Sequence, residues 1–395
     1  MINKIKDLAS NLHEEIRTIR RHIHQNPELS FQEFNTQNYV WQQLEDAGIV
    51  NKQKIANTGI VAIIEGKNPS KKIVALRGDM DALPILEAND VSYKSNNNGV
   101  MHACGHDVHT SCLLGAAKII NQLKGEFEGT VKLVFQPGEE KLPGGASVMI
   151  KEGVLKNPEV NNIIGQHVMP LLPVGKVGFR KGLYMASTDE IYMTIRGKGG
   201  HGAQPHQNID PVVAMAQVIT ALQQVVSRVA SPIIPSVLSF GKIIANGATN
   251  IIPNEVYLEG TFRTLDEEWR AKAHESIRKI AIGICESFGC TCDINIMKGY
   301  PFLKNDPDLT QTAIDNAIKY MGEENVVNLD IWMAAEDFSY YSQELPACFY
   351  RLGTRNEAKG ITSHVHTPTF DIDEDALPIG MGLMAWLAIS ELNTN

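Results

Sequence analysis

TVKLVFQPGEE, Thr130 to Glu140, is a seven-residue apolar strand that runs straight into an acidic pair. Val131, Leu133, Val134 and Phe135 leave no polar stripe for solvent, so the segment reads as a strand buried on both faces. The pattern repeats around it. GIVAIIEG (Gly59 to Gly66) and KKIVALRGDMDALPI (Lys71 to Ile85) are β-branched, mostly apolar strands, and NNIIGQH (Asn161 to His167) is another. Between them lie a helix carrying Leu113, Leu114, Ala117 and Ile120 and a second near Ala146 to Glu152. This alternation predicts an α/β domain whose mostly parallel sheet is covered by helices on both faces. Ligands bind such sheets beyond the strand C-termini, and Asp79, Asp81, Glu139, Glu140 and His167 are all expected there, each after its strand.

Upstream, Ile5, Leu8, Leu12, Ile16, Ile19 and Ile23 recur at helical spacing and stop before Pro27, and a second helix follows Thr36. Between about Ala186 and Lys298 the pattern changes. STDEIYMTIRG reads as a strand, Asp210 to Arg228 as a helix with Pro211 in its first turn, SVLSFGKII and EVYLEGTFR as strands, Glu267 to Phe288 as a helix and CTCDINIM as a strand. The order βαββαβ is the ferredoxin-like plan and predicts an α+β domain inserted into the first. The division expected is therefore 1–185, an insert at 186–298, and a return at 299–395, with Pro301 in the hinge. The return supplies a helix, the strand ACFYRLG and a C-terminal helix near Pro378 to Leu392.

The chain has 395 residues, 43% of them hydrophobic and 21% charged, with a net charge of −9. Such a balance speaks for a folded protein and against nucleic acid or an anionic membrane as partner. No uninterrupted apolar run reaches the ~20 residues of a membrane-spanning helix. The opening MINKIKDLASNLHEEIR is amphipathic and charged, unlike a secretory signal, so a cytoplasmic location is expected. The six cysteines lack the spacing of a disulfide framework, and Cys290 and Cys292 read as core packing on one strand face.

MHACGHDVH, Met101 to His109, brings His102, Cys104, His106 and His109 within eight residues. Cys104 and His106 can reach one metal, or two adjacent ones, if Gly105 lets the backbone turn between them. Alone, the stretch also fits core or capping residues at a helix start. Three further segments tilt the reading towards a metal: FQPGEE (Phe135 to Glu140), GQHVMP (Gly165 to Pro170) and HVHTPTF (His364 to Phe370), each placing a ligand-type side chain at the end of an apolar run.

With RRHIHQNPELSFQE (Arg20 to Glu33), RGDMDALPI (Arg77 to Ile85) and AAEDFSYY (Ala334 to Tyr341), these segments form an ordered series over nearly the whole chain. It resembles the M20 peptidase family, in the branch of aminoacylase-like, hippurate-hydrolase-like and indoleacetyl-amino-acid-hydrolase-like enzymes. The resemblance implies Cys104, His106, Glu140, His167 and His366 as ligands of two divalent transition-metal ions about 3.5–4 Å apart, bridged by Cys104 and lowering the pKa of a water between them toward ~7. Zinc or manganese suits that donor set, with cobalt or nickel as alternatives. It implies Glu139 as general base and Asp81 as the residue orienting a ligand, although an acidic turn after a strand is the ordinary alternative for Asp81. His366 matches the family pattern and His364 does not; His102 and His109 are supporting residues.

In the insert, the resemblance makes His201 of GKGGHGAQPH the group that polarises the scissile carbonyl. It makes Asn250 and Arg263 substrate-binding residues, with Arg263 suited to a free carboxylate; the plain alternatives are a loop histidine and a surface-strand arginine. Ala334-Ala335 stands where relatives have Gly-Ser before Glu-Asp-Phe, which leaves the metals untouched and puts the substrate in doubt. The reaction implied is hydrolysis of N-acyl amino acids (N-acetyl, hippurate-like or N-acetyl-diaminopimelate-like) to a carboxylate and a free amino acid. The alternative is a dinuclear metallopeptidase acting on dipeptides or peptide termini, and Cys104, where many peptidases of the family have Asp, separates the two. A catalytically silent metal-binding protein is a third reading, opposed by Glu139. A homodimer or higher homo-oligomer through the insert is expected, with His201 reaching the partner's site.

Overall fold

The Thr130–Gln136 strand is buried along its whole length, third in an eight-stranded sheet. The order is Lys52–Ile55, Gly59–Glu65, Thr130–Gln136, Ile73–Asp79, Asn162–Pro173, Ala347–Arg355, Val177–Phe179 and Val326–Asn328. The four central strands pair in parallel, and antiparallel pairings flank them on both sides. On one face Cys348, Tyr350 and Leu352 join a core built with the helices Ile2–Gln25, His106–Gln122 and Ala376–Leu392. Phe349, between them, points the other way and stacks on Phe338 at 4.8 Å, just before the short helix Ser339–Glu344. Helices therefore cover both faces, as double burial of the strands requires. Ala376–Leu392 is apolar all round and buried almost all round, which marks it as the central helix of that layer.

The structure is a computed structural model that describes residues 1–394 and divides into two compact units. The larger holds the eight-stranded sheet and comprises Met1–Tyr184, Lys304–Ile331 and the chain from Asp337 onward; the smaller comprises Met185–Leu303 and Trp332–Glu336. Two details of the larger unit differ from expectation. Of Lys71 to Ile85 only Ile73–Asp79 is strand, because beyond it the chain peels away into single bridges of Ala82 to Leu29 and of Leu83 to Met101. His167 does not follow its strand but lies inside it, since pairing with Ala347–Arg355 carries that strand on to Pro173.

In the smaller unit the sheet order is Ser236–Ile244, Glu255–Thr264, Asp189–Arg196, Thr291–Lys298, all antiparallel. In chain order this is 2-3-1-4, the ferredoxin-like arrangement. Ile191, Met193 and Ile195 alternate inward to meet the helices Pro211–Gln224 and Glu267–Ser287. Asp210 caps the first, accepting from the backbone of Val212 and Val213. The helical run Pro211–Val229 is long and apolar enough to cross a membrane, which a search for uninterrupted apolar stretches overlooks because of Gln217, Thr220, Gln223 and Gln224. Here it lays Ala214, Val218, Leu222 and Val225 into the unit's own core. Cys285 and Cys290 are buried in the same core and Cys292 packs against it.

Asp189 ties this unit together. Its buried carboxylate takes hydrogen bonds from Arg270 at 2.6 Å and pairs with His274 at 2.6 Å, while Arg270 also donates to the carbonyls of Thr188 and Gly299. Burial works against the charge, yet His274 and Arg270 hold the carboxyl below its ordinary value of 3.8. A depressed carboxylate stabilises fully above its unfolded-state pKa and loses that contribution as the pH falls through its folded-state value. Unfolding of the smaller unit should therefore become easier as the pH drops below about 4, and Asp189→Asn should flatten that acid limb in urea titrations at several pH values. An unchanged slope would separate Asp189 from the unit's acid sensitivity.

Candidate metal centre

Gly105 makes the turn that lets two consecutive ligand-type residues converge. Its φ is +80°, and a Cβ there would sit 2.5 Å from Val168 Cγ2, so both the conformation and the space demand glycine. Cys104 stands on one side of the turn, and His106 opens the His106–Gln122 helix on the other. The third donor comes from the sheet. His167 Nδ1 donates to the carbonyl of Val168 at 2.7 Å, which leaves Nε2 as the lone-pair nitrogen, 3.5 Å from Cys104 Sγ.

A fourth segment closes over the sulfur. The backbone N–H of His366 donates to the Ala103 carbonyl at 2.7 Å, with His366 in the left-handed region at φ +61°. Its Nε2 lies 3.3 Å from Cys104 Sγ and 3.2 Å from Glu140 Oε1. Such a backbone conformation is uncommon for a residue with a side chain and fits a position held for function. His364, by contrast, is exposed and engages Thr367 through its carbonyl.

Asp81 links these pieces. One oxygen meets His106 Nδ1 at 3.1 Å; the other accepts from Ser30 Oγ at 2.6 Å and from the backbone of Glu140 at 3.0 Å. A single carboxylate thus fixes an imidazole and the acidic pair together. His106 Nε2 is left 4.0 Å from Glu139 Oε2 and 4.0 Å from Glu140 Oε1. Of the clusters of potential ligands among the described residues, two, Cys104–His106–His167 and Cys104–Glu140–His366, share the sulfur.

The residues fit a pair of transition-metal ions. His106 Nε2 is buried with no hydrogen-bond partner among the described residues, a costly arrangement unless a cation meets it, and buried Glu140 Oε1 has only the His366 imidazole beside it. Burial, reinforced by the Glu140 carboxylate, pushes the Cys104 thiol up, and burial drives the His167 imidazole well down, so it is neutral and free to coordinate. His366 is raised to about 10 by its hydrogen bonds to Cys104 and Glu140. Thiolate, imidazole and carboxylate together favour zinc-like ions over calcium or magnesium.

Sequence reasoning missed the braces behind this centre. Arg77 donates to Gln136 Oε1 at 3.0 Å and to Asp337 Oδ1 at 2.9 Å, and pairs with Asp79; Asp337 also accepts from Gln136 Nε2 and from the backbone of Ala146. The signal was present as an arginine and a glutamine inside strands otherwise read as apolar. Both must find partners when buried.

The other site residues belong to the smaller unit. His201 is exposed in a two-residue strand paired with Ile251–Ile252, and Gly202 N–H donates to the Asn250 carbonyl at 2.8 Å, so His201 and Asn250 are neighbours. Arg263 is half-buried in the Glu255–Thr264 strand, where Nη1 donates to the Met333 carbonyl at 3.1 Å.

A mostly parallel sheet carrying a buried thiol shared by two ligand groups, with Glu139 beside them, defines a metal-dependent amidohydrolase. Residues 75–390 match the model of peptidase family M20/M25/M40, and the chain belongs to that family. It is 39% identical to thermostable carboxypeptidase 2 of Saccharolobus solfataricus over 100% of this chain and 99% of that protein. It is 42% identical to the N-acyl-L-amino acid amidohydrolase of Geobacillus stearothermophilus over 75% of this chain and 80% of that one. Among solved structures, the Bacillus subtilis YXEP protein, described as a dinuclear metal binding peptidase from the M20 family, matches at 34% identity and a TM-score of 0.84 over 98% of this chain and 100% of that one.

Cys104→Ser should lose metal from both groups together, because a hydroxyl at its ordinary pKa is a far poorer ligand than a thiolate. Metal content by mass spectrometry of the purified variant checks this. Two tightly held ions in Cys104→Ser would show that the sulfur is not shared.

Proposed function

We propose that the protein hydrolyses the amide bond of N-acyl amino acids, releasing a carboxylate and a free amino acid. The observation that carries this reading is the pair of ligand groups sharing Cys104, with Glu139 next to both. Two divalent ions held by Cys104, His106, Glu140, His167 and His366, zinc or manganese by their donor chemistry, would supply an acidified water and polarise the amide carbonyl. Glu139 takes the proton of the attacking water and returns it to the leaving amine. His201 donates to the carbonyl oxygen as charge develops on it, Asn250 binds beside it, and Arg263 receives the substrate carboxylate on the part of its guanidinium that Met333 does not occupy. Asp81 keeps His106 and Glu140 in place throughout.

The name of the Geobacillus relative supports this substrate class. That of the Saccharolobus relative supports a second reading, a dinuclear metallopeptidase cutting dipeptides or peptide ends with the same machinery. The insert, residues 186–298 within the smaller unit, serves as the dimerisation and substrate-covering domain in a homodimer where His201 acts on the partner's substrate. A thiolate ligand and the net charge of −9 suit a reducing cytoplasm and a small-molecule partner rather than nucleic acid or membrane.

Free-amine release from N-acetyl and N-benzoyl amino acids, compared with dipeptides, separates the two readings; activity on dipeptides alone would overturn the first. Glu139→Gln should lower kcat by roughly 10² to 10⁴ with metal content retained. When it is co-expressed with His201→Ala, the purified mixed dimer should regain one working site, whereas a verified mixed dimer no more active than its parents would return His201 to its own subunit. Arg263→Ala should cost substrates bearing a free carboxylate about 1.5–3 kcal/mol in kcat/KM and leave their amides nearly unaffected. Equal losses for acid and amide would remove Arg263 from carboxylate recognition.

A further inference from the structure

His109 lies one turn along the helix from His106, fully buried, and belongs to neither of the groups that share Cys104, clustering with Asp79 and His106 instead. Its Nδ1 is 2.6 Å from Asp79 Oδ1. A carboxylate there can only accept, so Nδ1 carries the proton and Nε2 keeps its lone pair. That lone pair accepts the backbone N–H of Val168 at 2.8 Å. The bond falls where the sheet has nothing to give: on this edge of the Asn162–Pro173 strand, pairing with Ile73–Asp79 stops at Gly165 opposite Arg77. Past that point the Val168 N–H is buried, and His109 supplies the acceptor that the departing strand does not.

The peptide N–H held by His109 joins His167 to Val168, and the His167 ring is itself anchored through Nδ1 to the Val168 carbonyl. The two rings also pack against each other, with centroids 4.5 Å apart. Asp79 is fixed in turn by Arg77, and its carbonyl by Thr110 Oγ1 at 2.6 Å. We propose that His109 is a positioning residue that, oriented by Asp79, sets the direction of the metal ligand His167 through the Val168 backbone. The inference rests on the two-ion reading of the centre. It concerns one ion only, because His167 belongs to the Cys104–His106–His167 group and not to the other.

The test compares His109→Asn with His109→Gln in the full-length protein. Asparagine can take the bond to Asp79 but is too short for Val168; glutamine places an acceptor near the position of Nε2. Metal-free protein is titrated with zinc against a chromophoric chelator. His109→Asn should hold one equivalent as the unsubstituted protein does and the second about 10–100-fold more weakly, the usual effect of losing a residue that orients a ligand. His109→Gln should hold both. A general loss of packing would weaken both equivalents, and that result, or Asn and Gln variants that titrate alike, would overturn the proposal. If His109→Asn does not fold, His109→Ser, which likewise cannot reach Val168, takes its place: weakening of one equivalent in Ser but not in Gln supports the proposal, and Ser and Gln variants that titrate alike overturn it. Fewer than two equivalents in the unsubstituted protein would overturn the two-ion reading itself, whereas two there with indistinguishable variants would overturn only the role of His109.

Discussion

Everything in the larger unit that bears on chemistry depends on a sulfur that is buried among donors. Cys104 Sγ has His167 Nε2 on one side at 3.5 Å and His366 Nε2 on the other at 3.3 Å, in a space where burial alone would keep the thiol protonated and inert. A cation reverses that preference. The residues around the sulfur are arranged for such a reversal rather than for packing, since an apolar side chain in place of Cys104 would leave two imidazoles and a carboxylate facing one another. The fold must hold that arrangement rigid while no single segment can supply it, so distant segments are locked through backbone groups, His366 to Ala103, Glu140 to Asp81 and Val168 to His109, while His167 is anchored within its own strand to Val168.

The parallel sheet explains why those segments meet. Strands 73–79 and 130–136 both end at the same edge, and their following loops deliver Asp81 on one side and Glu139 and Glu140 on the other. The helix that begins at His106 starts at that edge as well, so a turn before it and a turn after a strand face each other over a short gap. Antiparallel sheets send successive loops to opposite ends and could not collect them so simply. The charges behind the edge need equal care. Arg77 lies inside an apolar strand with no exposure, and the carboxylates of Asp79 and Asp337, with Gln136 between, help make its burial tolerable.

Much of this was legible in the sequence. Uninterrupted apolar runs identified the central strands, the change of period at Ala186 identified the ferredoxin-like unit, and the ligand-type residues stood at the ends of those runs. What remained hidden has specific causes. His167 falls mid-strand because pairing with 347–355 extends the strand past the point where local pattern ends, a long-range effect that no window reveals. The role of His109 depends on an N–H that loses its ladder partner only because the neighbouring strand leaves early. Trp332–Glu336 belongs with the smaller unit although it lies 29 residues beyond Leu303 in sequence, which no periodicity signals.

The two ligand groups differ in their access to water. His167 is buried and the His106 side chain has no exposure at all, whereas the His366 side chain is 52% exposed and Glu140 13%. Charges in the inner group therefore interact in a low-dielectric surrounding where each contact is strong and each misplacement is costly. In the outer group His366 alone is solvated, so its interactions are weaker than those of the buried Cys104 and the mostly buried Glu140. A hydrolase needs both properties, because one reactant is water and the other must be held still. Asp81 supports both groups, through His106 and through the Glu140 backbone, and the outer one adds an exposed imidazole held by its own backbone bond to Ala103. Glu139, buried like His106, lies within 4.0 Å of its Nε2, on the inner side of this division.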